Sequence, residues 1–333
     1  MNIAVVGCGN ISRVHFDVIS KTPDAVVVAT VDTVYEKAKK WADAFSAKAY
    51  TSFDEMLANE KIDTVHICTP HYLHTQMAVR ALEKGINVLT EKPCSMTLDE
   101  VEILRDAQKK TGKKVGVCFQ NRYNDCSVYV KNVIDSGKMG KVLALRGFLT
   151  WKRDENYYSD DWHGTLEKEG GGVLINQAIH TIDLLQYFGG GCNGVTAHVA
   201  NDHLKGVIEV EDTATALLTM KNGANAVLYA TTAFATDSRV LIDIKFEKGT
   251  LRMEGDRLFE ITDTGVNEIG ETVQKETVGK SCWGTGHAAL IADFYDSIRN
   301  GRPFAIDAFS GGDAAKIVAA CYESAKTNEK VII

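Results

Sequence analysis

Several features that restrict function are missing from this sequence of 333 residues. Lysine and arginine do not gather into a basic block, and the formal net charge is -7, which argues against nucleic acid or an anionic membrane surface as the main partner. No apolar segment approaches the length that spans a bilayer. Internal repeats and low-complexity tracts are also absent, so the composition is that of an ordinary globular protein long enough for two domains.

The eight cysteines are scattered without a Cys-x-x-Cys pair. We therefore expect reduced thiols, several of them in strands or turns. A strand is predicted from residue 2 onward, which is taken to leave no room for a signal peptide. Both observations favour a cytoplasmic protein.

The first third of the chain alternates between strand and helix patterns. Such alternation implies a parallel sheet with right-handed crossovers, that is, a doubly wound α/β domain, which we place over residues 1–121. The predicted strands are residues 3–6, 26–31, 64–68, 87–89 and 114–118, and the predicted helices are residues 10–20, 34–46, 53–59, 71–85 and 97–111.

Beyond residue 121 the pattern changes to closely spaced strands. Asn222-Gly223 stands between two apolar runs, which is a strong signal for a β-hairpin. We expect an α+β domain over residues 122–333 with a large, mostly antiparallel open sheet, and its C-terminal helix could pack back on the first domain. The predicted strands are residues 142–150, 212–221, 224–233, 239–246, 250–254, 257–262 and 273–278, and the predicted helices are residues 127–137, 173–188, 285–300 and 310–326.

The first predicted strand runs directly into Gly7-Cys8-Gly9-Asn10-Ile11-Ser12, and Asp32 follows the second strand. A glycine-rich turn between a strand and a helix lets a pyrophosphate approach the backbone, and the helix N-terminus then holds the anion. An acidic residue about twenty positions later is placed to accept a hydrogen bond from a ribose hydroxyl. No arginine beside Asp32 could clamp a 2′-phosphate, so the pattern favours NAD over NADP. Ser12 stands at the third glycine position, where its small side chain still permits close helix–strand packing.

Two further segments follow predicted strands of the parallel sheet, at the edge where ligands bind in doubly wound folds. Cys68-Thr69-Pro70-His71-Tyr72-Leu73-His74 is predicted to border the cofactor, although Pro70 is equally explained as a helix N-terminus and His74 as a residue packed beneath the loop. Glu91-Lys92-Pro93 places a lysine near the nicotinamide end, where its ammonium could stabilise developing alkoxide charge. The alternative for Lys92 is a surface lysine paired with Glu91.

In the second domain, helical spacing groups Asn176, His180 and Asp183 on one face of an otherwise apolar helix. His180 is the natural general base because imidazole titrates near working pH. Asp183 would orient His180 or make a structural contact, and the alternative for His180 is a satisfied buried histidine. No metal site is expected, because no third ligand stands near this pair in the sequence and hydride transfer needs none.

A loop rich in aromatic and charged residues precedes this helix. It contains Trp151-Lys152-Arg153 and Tyr157-Tyr158-Ser159-Asp160-Asp161-Trp162-His163. Rings stack on pyranose faces, and lysine or arginine binds hydroxyls or a carboxylate, so the loop suits a sugar. The alternative is a solvated loop whose aromatic residues anchor it to the core.

Taken in order, these motifs resemble the glucose–fructose oxidoreductase/inositol dehydrogenase/rhizopine catabolism (Gfo/Idh/MocA) family nearly from end to end. The segments that carry the resemblance are residues 7–11, 68–74, 91–93, 170–183 and 287–302. The resemblance implies an N-terminal Rossmann domain and NAD(P)-dependent oxidation of a hydroxyl on a sugar, inositol or sugar derivative. It also implies a homodimer or homotetramer formed through the large C-terminal sheet.

The resemblance assigns roles to individual residues. Lys92, His180 and Asn176 are expected to be catalytic. Cofactor contacts are expected from Gly7, Gly9, Asn10, Ile11, Asp32, Thr69, Pro70, His71, His74, Glu91, Lys92, Gln120 and Trp162. Substrate contacts are expected from Lys92, Arg153, Tyr158, Asn176, His180 and His287.

Asn176 departs from the family pattern, because many members carry an aspartate four residues before the catalytic histidine. Asn-Gln at this place, together with the aromatic loop, resembles the sugar-nucleotide 3-dehydrogenase branch. Asparagine can hydrogen-bond a substrate but cannot share a proton, so the base role falls on His180. We expect an NAD-dependent dehydrogenase that oxidises a secondary hydroxyl of a sugar or sugar derivative, with C3 of a pyranoside as a candidate position. The alternatives are an enzyme that retains and recycles NAD for epimerisation or glycoside cleavage, and a non-catalytic NAD or sugar sensor.

Overall fold

A computed structural model describes residues 1–269 and 286–333 of the protein. Among these, residues 1–120 and 286–312 form one compact unit, and residues 121–269 and 313–333 form a second. The first segment of the first unit ends at residue 120, and the predicted domain boundary follows residue 121. Cys282 and the strand predicted over residues 273–278 lie outside the described residues.

The strands of the described residues divide between two sheets. The first sheet contains β1 (Asn2–Val6), β2 (Val26–Val31), β3 (Lys48–Tyr50), β4 (Thr64–Ile67), β5 (Asn87–Thr90) and β6 (Val115–Val117). The second contains β7 (Val142–Thr150), β8 (Cys192–Ala200), β9 (Thr213–Met220), β10 (Asn225–Thr231), β11 (Leu241–Phe246), β12 (Gly249–Glu254), β13 (Arg257–Thr262), β14 (Gly265–Glu268) and β15 (Val331–Ile332). Their orders are β3-β2-β1-β4-β5-β6 and β14-β13-β12-β11-β7-β10-β9-β8-β15.

Helices connect and flank these strands, and several begin with recognisable caps. The helix that starts at Leu98 opens with a capping box, in which Thr97 and Glu100 exchange side-chain and backbone hydrogen bonds. The helices are α1 (Ser12–Ser20), α2 (Tyr35–Phe45), α3 (Phe53–Asn59), α4 (His74–Glu83), α5 (Leu98–Thr111), α6 (Asp125–Ser136), α7 (Ile179–Phe188), α8 (His287–Arg299) and α9 (Ala308–Thr327).

The first sheet is parallel throughout, which confirms the predicted doubly wound arrangement. Sheet hydrogen bonding continues one residue beyond each central strand. The N–H of Gly7 bonds to Val31 O at 2.8 Å, that of Cys68 to Val6 O at 2.7 Å, and that of Glu91 to Ile67 O at 2.9 Å. Gly7, Cys68 and Glu91 therefore lie along the carboxyl edge of the sheet, where the sequence placed the cofactor.

The predicted second domain includes residues 286–312, which the structure instead places in the first unit. Two contacts explain this difference. The N–H of Val117 bonds to the carbonyl of Ile306 at 2.9 Å. Phe294 of α8 packs over Gly116, where a Cβ would lie 2.8 Å from its ring. Of the last helix, α9, only the residues up to 312 belong with the first unit.

The second sheet is antiparallel except for the parallel pair of β7 and β10. This confirms the predicted large, mostly antiparallel sheet. The hairpin expected at Asn222-Gly223 is also present, because β9 and β10 pair on either side of it. Gly223 has a φ of +88°, a conformation that residues with a Cβ rarely adopt.

Gly147 of β7 allows α7 to lie close to the second sheet. A Cβ at this position would lie 2.8 Å from the Thr181 side chain and 3.1 Å from the Leu185 side chain. The close packing fixes the first turns of α7, which carry His180, against the middle of the sheet.

The helix predicted over residues 173–188 begins only at Ile179. Residues 173–178 form turns, in which the N–H of Val173 bonds to the carbonyl of Glu211 at 3.1 Å. Asn176 therefore lies before the helix, so the prediction of one helical face shared with His180 and Asp183 was wrong for Asn176.

Within the described residues, no helix combines the length and the apolarity needed to cross a bilayer. The described cysteines are free thiols, and all except Cys126 are buried. Burial raises the pKa of Cys94 and of Cys321 to about 12, so these thiols are neutral and unreactive at neutral pH.

Candidate active-site residues in the two units

The glycine turn after β1 is closed at one position and open at another. Gly7 has a φ of +85°, and a Cβ there would lie 2.5 Å from the carbonyl oxygen of Cys68. A Cβ at Gly9 would meet no atom of the described residues within 4 Å. The turn is thus pinned by backbone contact at Gly7 and accessible at Gly9, an arrangement that fits an approaching pyrophosphate.

Ser12 and Asp32 hold this turn in place. Ser12 is fully buried at the start of α1, and its hydroxyl donates to Gly9 O at 2.8 Å, so the residue at the third glycine position braces the turn. Asp32 accepts from the N–H of Cys8 at 2.9 Å and from the N–H of Val34 at 2.9 Å. Burial, together with the charge of Asp32, raises the pKa of Cys8 to about 12.

His74 lies beneath the loop that follows β4. Its Nδ1 lies 2.7 Å from the carbonyl oxygen of Pro93, and its Nε2 lies 2.7 Å from that of Thr69. Burial lowers the pKa of His74, and the two carbonyls oppose this shift only in part. The imidazole therefore lies buried between the Thr69 loop and the loop that carries Lys92, where a neutral ring donates to one of the two carbonyls. This placement favours a positioning role over the predicted cofactor contact. The Lys92–Pro93 peptide bond is cis.

Glu91 was predicted to contact the cofactor, but its carboxylate points into the first unit. It is 7% exposed, and its Oε1 lies 2.9 Å from His15 Nε2 and 3.6 Å from His287 Nε2. His15 Nδ1 lies 2.8 Å from His66 Nδ1, and the Tyr295 hydroxyl lies 2.8 Å from His66 Nε2. A chain of buried polar groups thus runs from α8 to the residue immediately before Lys92.

The protons of this chain can be assigned from donor and acceptor chemistry. An ionised Glu91 only accepts, so His15 must carry its proton on Nε2 and accept at Nδ1. His66 then donates from Nδ1 and accepts at Nε2 from the Tyr295 hydroxyl. Burial lowers the pKa of His66 well below its usual value and raises that of Tyr295 well above it, in agreement with two neutral groups. Burial also raises the pKa of Glu91, but the hydrogen bond from His15 and the nearby His287 ring outweigh burial and leave this pKa well below its usual value.

His287 was predicted to contact substrate, and the structure gives it a different neighbour. It is 4% exposed at the start of α8, next to the Glu91 carboxylate. His15, Glu91 and Cys118 also place three potential metal-ligand atoms within 4.8 Å of one another. Burial and the charge of Glu91 raise the pKa of Cys118 well above its usual value, so a neutral thiol faces the carboxylate. The expectation of no metal stays a prediction.

In the second unit, Asn176 is held by a buried carboxylate. Glu169 is 1% exposed, and it accepts from the N–H of Gly164 at 2.5 Å and from the amide nitrogen of Asn176. Because a carboxylate only accepts, the nitrogen of the Asn176 amide must face Glu169. The orientation of this side chain is therefore set by a residue seven positions earlier in the chain.

Asn176 and Gln177 share a second partner, the Tyr157 hydroxyl. Asn176 Nδ2 lies 3.3 Å from this oxygen, and Gln177 Nε2 lies 3.2 Å from it. Burial and the charge of Glu169 raise the pKa of Tyr157 to about 12, so the hydroxyl is neutral at neutral pH. Two adjacent amides thus converge on a single phenol.

The glycine-rich turn before Asn176 is fixed by Glu211. The carboxylate of Glu211 accepts from the N–H groups of Gly172 and Leu174, both at 2.9 Å, and from the Tyr322 hydroxyl at 3.0 Å. A Cβ at Gly172 would lie 1.9 Å from the carbonyl oxygen of Glu211, so glycine is required at this close approach. Burial raises the pKa of Glu211, and its backbone hydrogen bonds oppose the shift.

His180 is the second residue of α7 and is only partly buried. Asp183 does not serve to orient it, because both carboxylate oxygens bond to Arg122, at 2.7 Å and 2.5 Å. This ion pair is buried on both sides, and Gln186 Nε2 lies 3.3 Å from Asp183 Oδ1. Of the two roles considered for Asp183, the structure therefore supports the structural contact.

The aromatic loop contains both inward and outward residues. Tyr158 packs in a small core with Leu204, Ile208 and Val210, and its hydroxyl lies 3.3 Å from Thr232 Oγ1. Tyr158 thus anchors the loop, which was the alternative considered for its aromatic residues, and it is Tyr157 that lies next to Asn176.

Arg153 and Trp162 lie elsewhere on this loop. The guanidinium of Arg153 lies 4.9 Å from the Trp151 ring centroid and 5.3 Å from that of Tyr157, and it pairs with Asp237 at 3.0 Å. Trp162 packs on His163 with ring centroids 3.7 Å apart. The contact of Arg153 with substrate and the contact of Trp162 with cofactor both stay predictions. The same holds for the cofactor contacts of Asn10, Ile11, Thr69, Pro70, His71 and Gln120.

Several residues of these arrangements were not foreseen from the sequence. A tyrosine pair in a loop does not reveal which ring is anchored in the core, and single histidines or glutamates in helices and loops carry no pattern of their own. Glu169 lies seven residues before Asn176, but the partners of the others are distant in sequence, so only the fold brings them together. These residues include His15, His66, Arg122, Tyr157, Glu169, Gln177, Glu211, Tyr295 and Tyr322.

Comparison with known proteins gives two family matches. Residues 1–119 match the oxidoreductase family with the NAD-binding Rossmann fold, and residues 128–252 match the GFO/IDH/MocA C-terminal domain. The matched segments together cover more than half of the chain. The expected NAD-binding domain is confirmed by the first match.

Individual relatives extend these matches. The D-glucoside 3-dehydrogenase of Escherichia coli (strain K12) is 26% identical, over 99% of this chain and 97% of its own length. The oxidoreductase YrbE of Bacillus subtilis (strain 168) is 30% identical over 67% of this chain, but the match spans only 65% of that relative. The WlbA dehydrogenase from Bordetella pertussis, crystallised with NADH and UDP-GlcNAcA, has a TM-score of 0.88 and 27% identity, covering 100% of this chain and 98% of its own.

The two glycines of the turn should respond differently to alanine. Gly7→Ala places a methyl group against backbone and is expected to lower the free energy of unfolding by about 2–4 kcal/mol. Gly9→Ala is expected to leave the melting temperature within about 1 °C of wild type, because its methyl group enters open space. The same methyl group should weaken NADH binding about tenfold or more, since it occupies the path of the pyrophosphate. Urea unfolding and NADH fluorescence titration measure both effects, and equal loss of stability in both variants would contradict the assignment.

Replacement of His15 should destabilise the protein by an amount that depends on pH, because the group left without its donor is the titratable Glu91 carboxylate. Because the folded-state pKa of Glu91 is lowered, wild-type protein gains stability from it above the unfolded-state pKa of about 4.3 and loses that gain as pH falls through the folded-state pKa. His15→Leu leaves a buried carboxylate without its main donor, so the variant should lose about 3 kcal/mol at pH 7. The loss should shrink toward pH 4 as Glu91 takes up a proton.

Tyr295→Phe is the matched control for this experiment. This substitution removes the hydroxyl at the far end of the hydrogen-bonded series and leaves Glu91 bonded to His15. It should lower the free energy of unfolding by about 1–2 kcal/mol at every pH between 4 and 8. Urea unfolding across that range checks both variants. A deficit of His15→Leu that does not change with pH would rule out the ionised Glu91.

Proposed function

Because the chain belongs to the Gfo/Idh/MocA family of oxidoreductases, we propose that it is an NAD-dependent dehydrogenase that oxidises a secondary hydroxyl of a sugar or sugar derivative. The observation that carries this proposal is the conjunction in one unit of the open glycine turn and a lysine that directly follows a buried carboxylate on the same sheet edge. That edge is where dinucleotides bind in doubly wound folds.

The residues of the first unit fit an NAD molecule. The open backbone at Gly9 and the start of α1 suit the pyrophosphate, and Asp32 at the end of β2 suits a ribose diol. The fixed carboxylate of Asp32 would repel a 2′-phosphate, which favours NAD. When bound, the nicotinamide supplies the acceptor for a hydride.

Two side chains divide the proton chemistry. His180 removes the proton from the substrate hydroxyl as a general base, which suits a partly exposed imidazole at the start of a helix. The Lys92 ammonium stabilises the negative charge that develops on the same oxygen as the carbon loses its hydride. Asn176, oriented by Glu169, positions the sugar.

The relatives favour a carbohydrate substrate. The Escherichia coli relative that matches nearly the whole chain is a D-glucoside 3-dehydrogenase, and the Bordetella pertussis structure contains a nucleotide sugar. Both names point to pyranosides, and the first makes C3 the candidate position of oxidation. An enzyme that retains NAD would instead convert its substrate without accumulating NADH.

Lys92→Met and His180→Gln should each lower kcat for NADH formation by about 100-fold or more, because each removes an interaction realised in the transition state. NADH absorbance with pyranosides, inositols and UDP-sugars provides the measurement. NADH binding of His180→Gln should match wild type, which separates lost chemistry from lost cofactor. If both variants turned over the best substrate at the wild-type rate, the assignment would be wrong. Product formation without NADH would identify the recycling enzyme instead.

We propose in addition that the second sheet forms the contact of a homodimer or homotetramer. Leu217 and Val227 pair across β9 and β10, and each is 47% exposed. Exposed apolar side chains grouped on one sheet face are typical of surfaces buried by association. Arg146, which pairs with Val227 on β7, adds a charged group bonded to Asp243.

Leu217→Lys should dissociate the assembly, because it places an ammonium in an apolar contact that the symmetry repeats in every copy. Light scattering coupled to size-exclusion chromatography reports the mass. Ile103→Lys is the matched control, since Ile103 is 52% exposed on α5 of the first unit and should leave the mass unchanged. A monomeric wild-type protein at micromolar concentration would disprove the proposal.

A further inference from the structure

Gln177 is a buried side chain whose amide nitrogen and carbonyl oxygen differ in their hydrogen bonding. It is 6% exposed, and its amide nitrogen lies 3.2 Å from the Tyr157 hydroxyl. Its carbonyl oxygen Oε1 is also buried, yet it has no hydrogen-bond partner among residues 1–269 and 286–333. A buried acceptor without a donor is unfavourable, and in native structures such groups call for a functional explanation.

The structure directs the amide nitrogen of Gln177 toward the Tyr157 hydroxyl. The amide nitrogens of Asn176 and Gln177 both approach this oxygen, at 3.3 Å and 3.2 Å. Asn176 cannot reverse its amide, because its nitrogen also bonds to the Glu169 carboxylate. With both amide nitrogens directed to Tyr157, the carbonyl oxygen of Gln177 points away from the phenol.

Tyr157 is itself rigidly placed, so it acts as a template for the amides. Its ring lies 5.3 Å from the guanidinium of Arg153 and packs edge-on against Tyr158 with ring centroids 4.9 Å apart. Tyr158 is anchored in its own small core. The unsatisfied acceptor is therefore held in advance, as a preorganised binding group must be.

We propose that Gln177 Oε1 accepts a hydrogen bond from a hydroxyl of the substrate, on a carbon next to the one that is oxidised. This makes Gln177 a specificity-determining residue for polyols with vicinal hydroxyls, and it rests on the proposed dehydrogenase function. Gln177 follows Asn176 directly and lies three residues before His180, the two residues proposed to act on the substrate hydroxyl, so the proposal assigns its acceptor to the same substrate. A site with this acceptor rejects a substrate in which the hydroxyl is replaced by hydrogen, fluorine or a methyl ether, because none of these donates.

The test is a double-mutant cycle in which the protein side chain and the substrate hydroxyl are altered separately and then together. The probes are methyl β-D-glucopyranoside and its 2-deoxy, 2-deoxy-2-fluoro, 4-deoxy and 4-deoxy-4-fluoro derivatives, which alter the two carbons that flank C3. The protein variants are Gln177→Met, which keeps the length of the side chain, and Gln186→Met. Gln186 is the matched control, because it is a buried glutamine of the same unit whose amide bonds to Asp183.

For wild type, replacement of the hydroxyl at one flanking carbon should lower kcat/KM about 10- to 100-fold. Gln177→Met should lower kcat/KM for the parent glucoside by a similar factor, and the deoxy or fluoro probe should then cause no further loss. Gln186→Met should retain the wild-type ratio between parent and probe. If Gln177→Met discriminated between parent and probes as strongly as wild type, no hydroxyl would contact Gln177 and the inference would be overturned.

Two further measurements separate this inference from the proposed function. The melting temperature of Gln177→Met without ligand should equal or exceed that of wild type, because an unsatisfied acceptor is removed; a clear decrease would show a structural role. If wild type reduced no NAD⁺ with any of the probes, the proposed function would fail for glucosides. Thermal shifts of the NADH-saturated proteins by the same probes would then decide on Gln177. The inference would be supported if the parent glucoside raised the melting temperature of wild type, and if this increase were lost equally with the deoxy probe and in Gln177→Met. Equal increases for both proteins with every probe would refute it.

Discussion

The buried carboxylate of Glu91 is the constraint on which the first unit depends. A charge at the end of a central strand is unfavourable in a protein interior unless donors surround it. His15, His66 and Tyr295 meet this requirement in series: the Tyr295 hydroxyl donates a hydrogen bond to His66, His66 donates to His15, and His15 donates to Glu91. The series joins α1, β4 and α8 to Glu91 at the end of β5, so α1 and the residue before Lys92 are held by the same bonds.

Buried carboxylates organise the second unit in the same way. Glu211 holds the N–H groups of the turn that leads to Asn176, and Glu169 orients the Asn176 amide itself. The negative charge next to position 176 thus comes from Glu169, which bonds to the Asn176 amide. The asparagine is therefore a polar group whose orientation is set by a buried carboxylate.

The sequence predicted what depends on local pattern and missed what depends on long-range contact. Alternating apolar runs revealed the doubly wound sheet, and Asn222-Gly223 revealed a hairpin, because period and turn chemistry are local properties. β3 was not foreseen, since its three residues are too few to show a period. The start of α7 was placed six residues too early, because the bonds from Glu211 that keep residues 173–178 out of a helix come from a distant segment. Tyr157 and Tyr158 could not be told apart for the same reason.

The cysteine inside the glycine turn has a chemical consequence. Thiols react with oxidants and alkylating agents as thiolates, and burial raises the pKa of Cys8 to about 12, so the thiol is neutral at pH 7. Asp32 accepts the backbone N–H of Cys8 while its charge suppresses ionisation of the adjacent thiol. Burial and the Asp32 carboxylate together therefore keep the thiol of the glycine turn neutral. A sulfur atom can sit in this turn without forming a reactive thiolate at neutral pH.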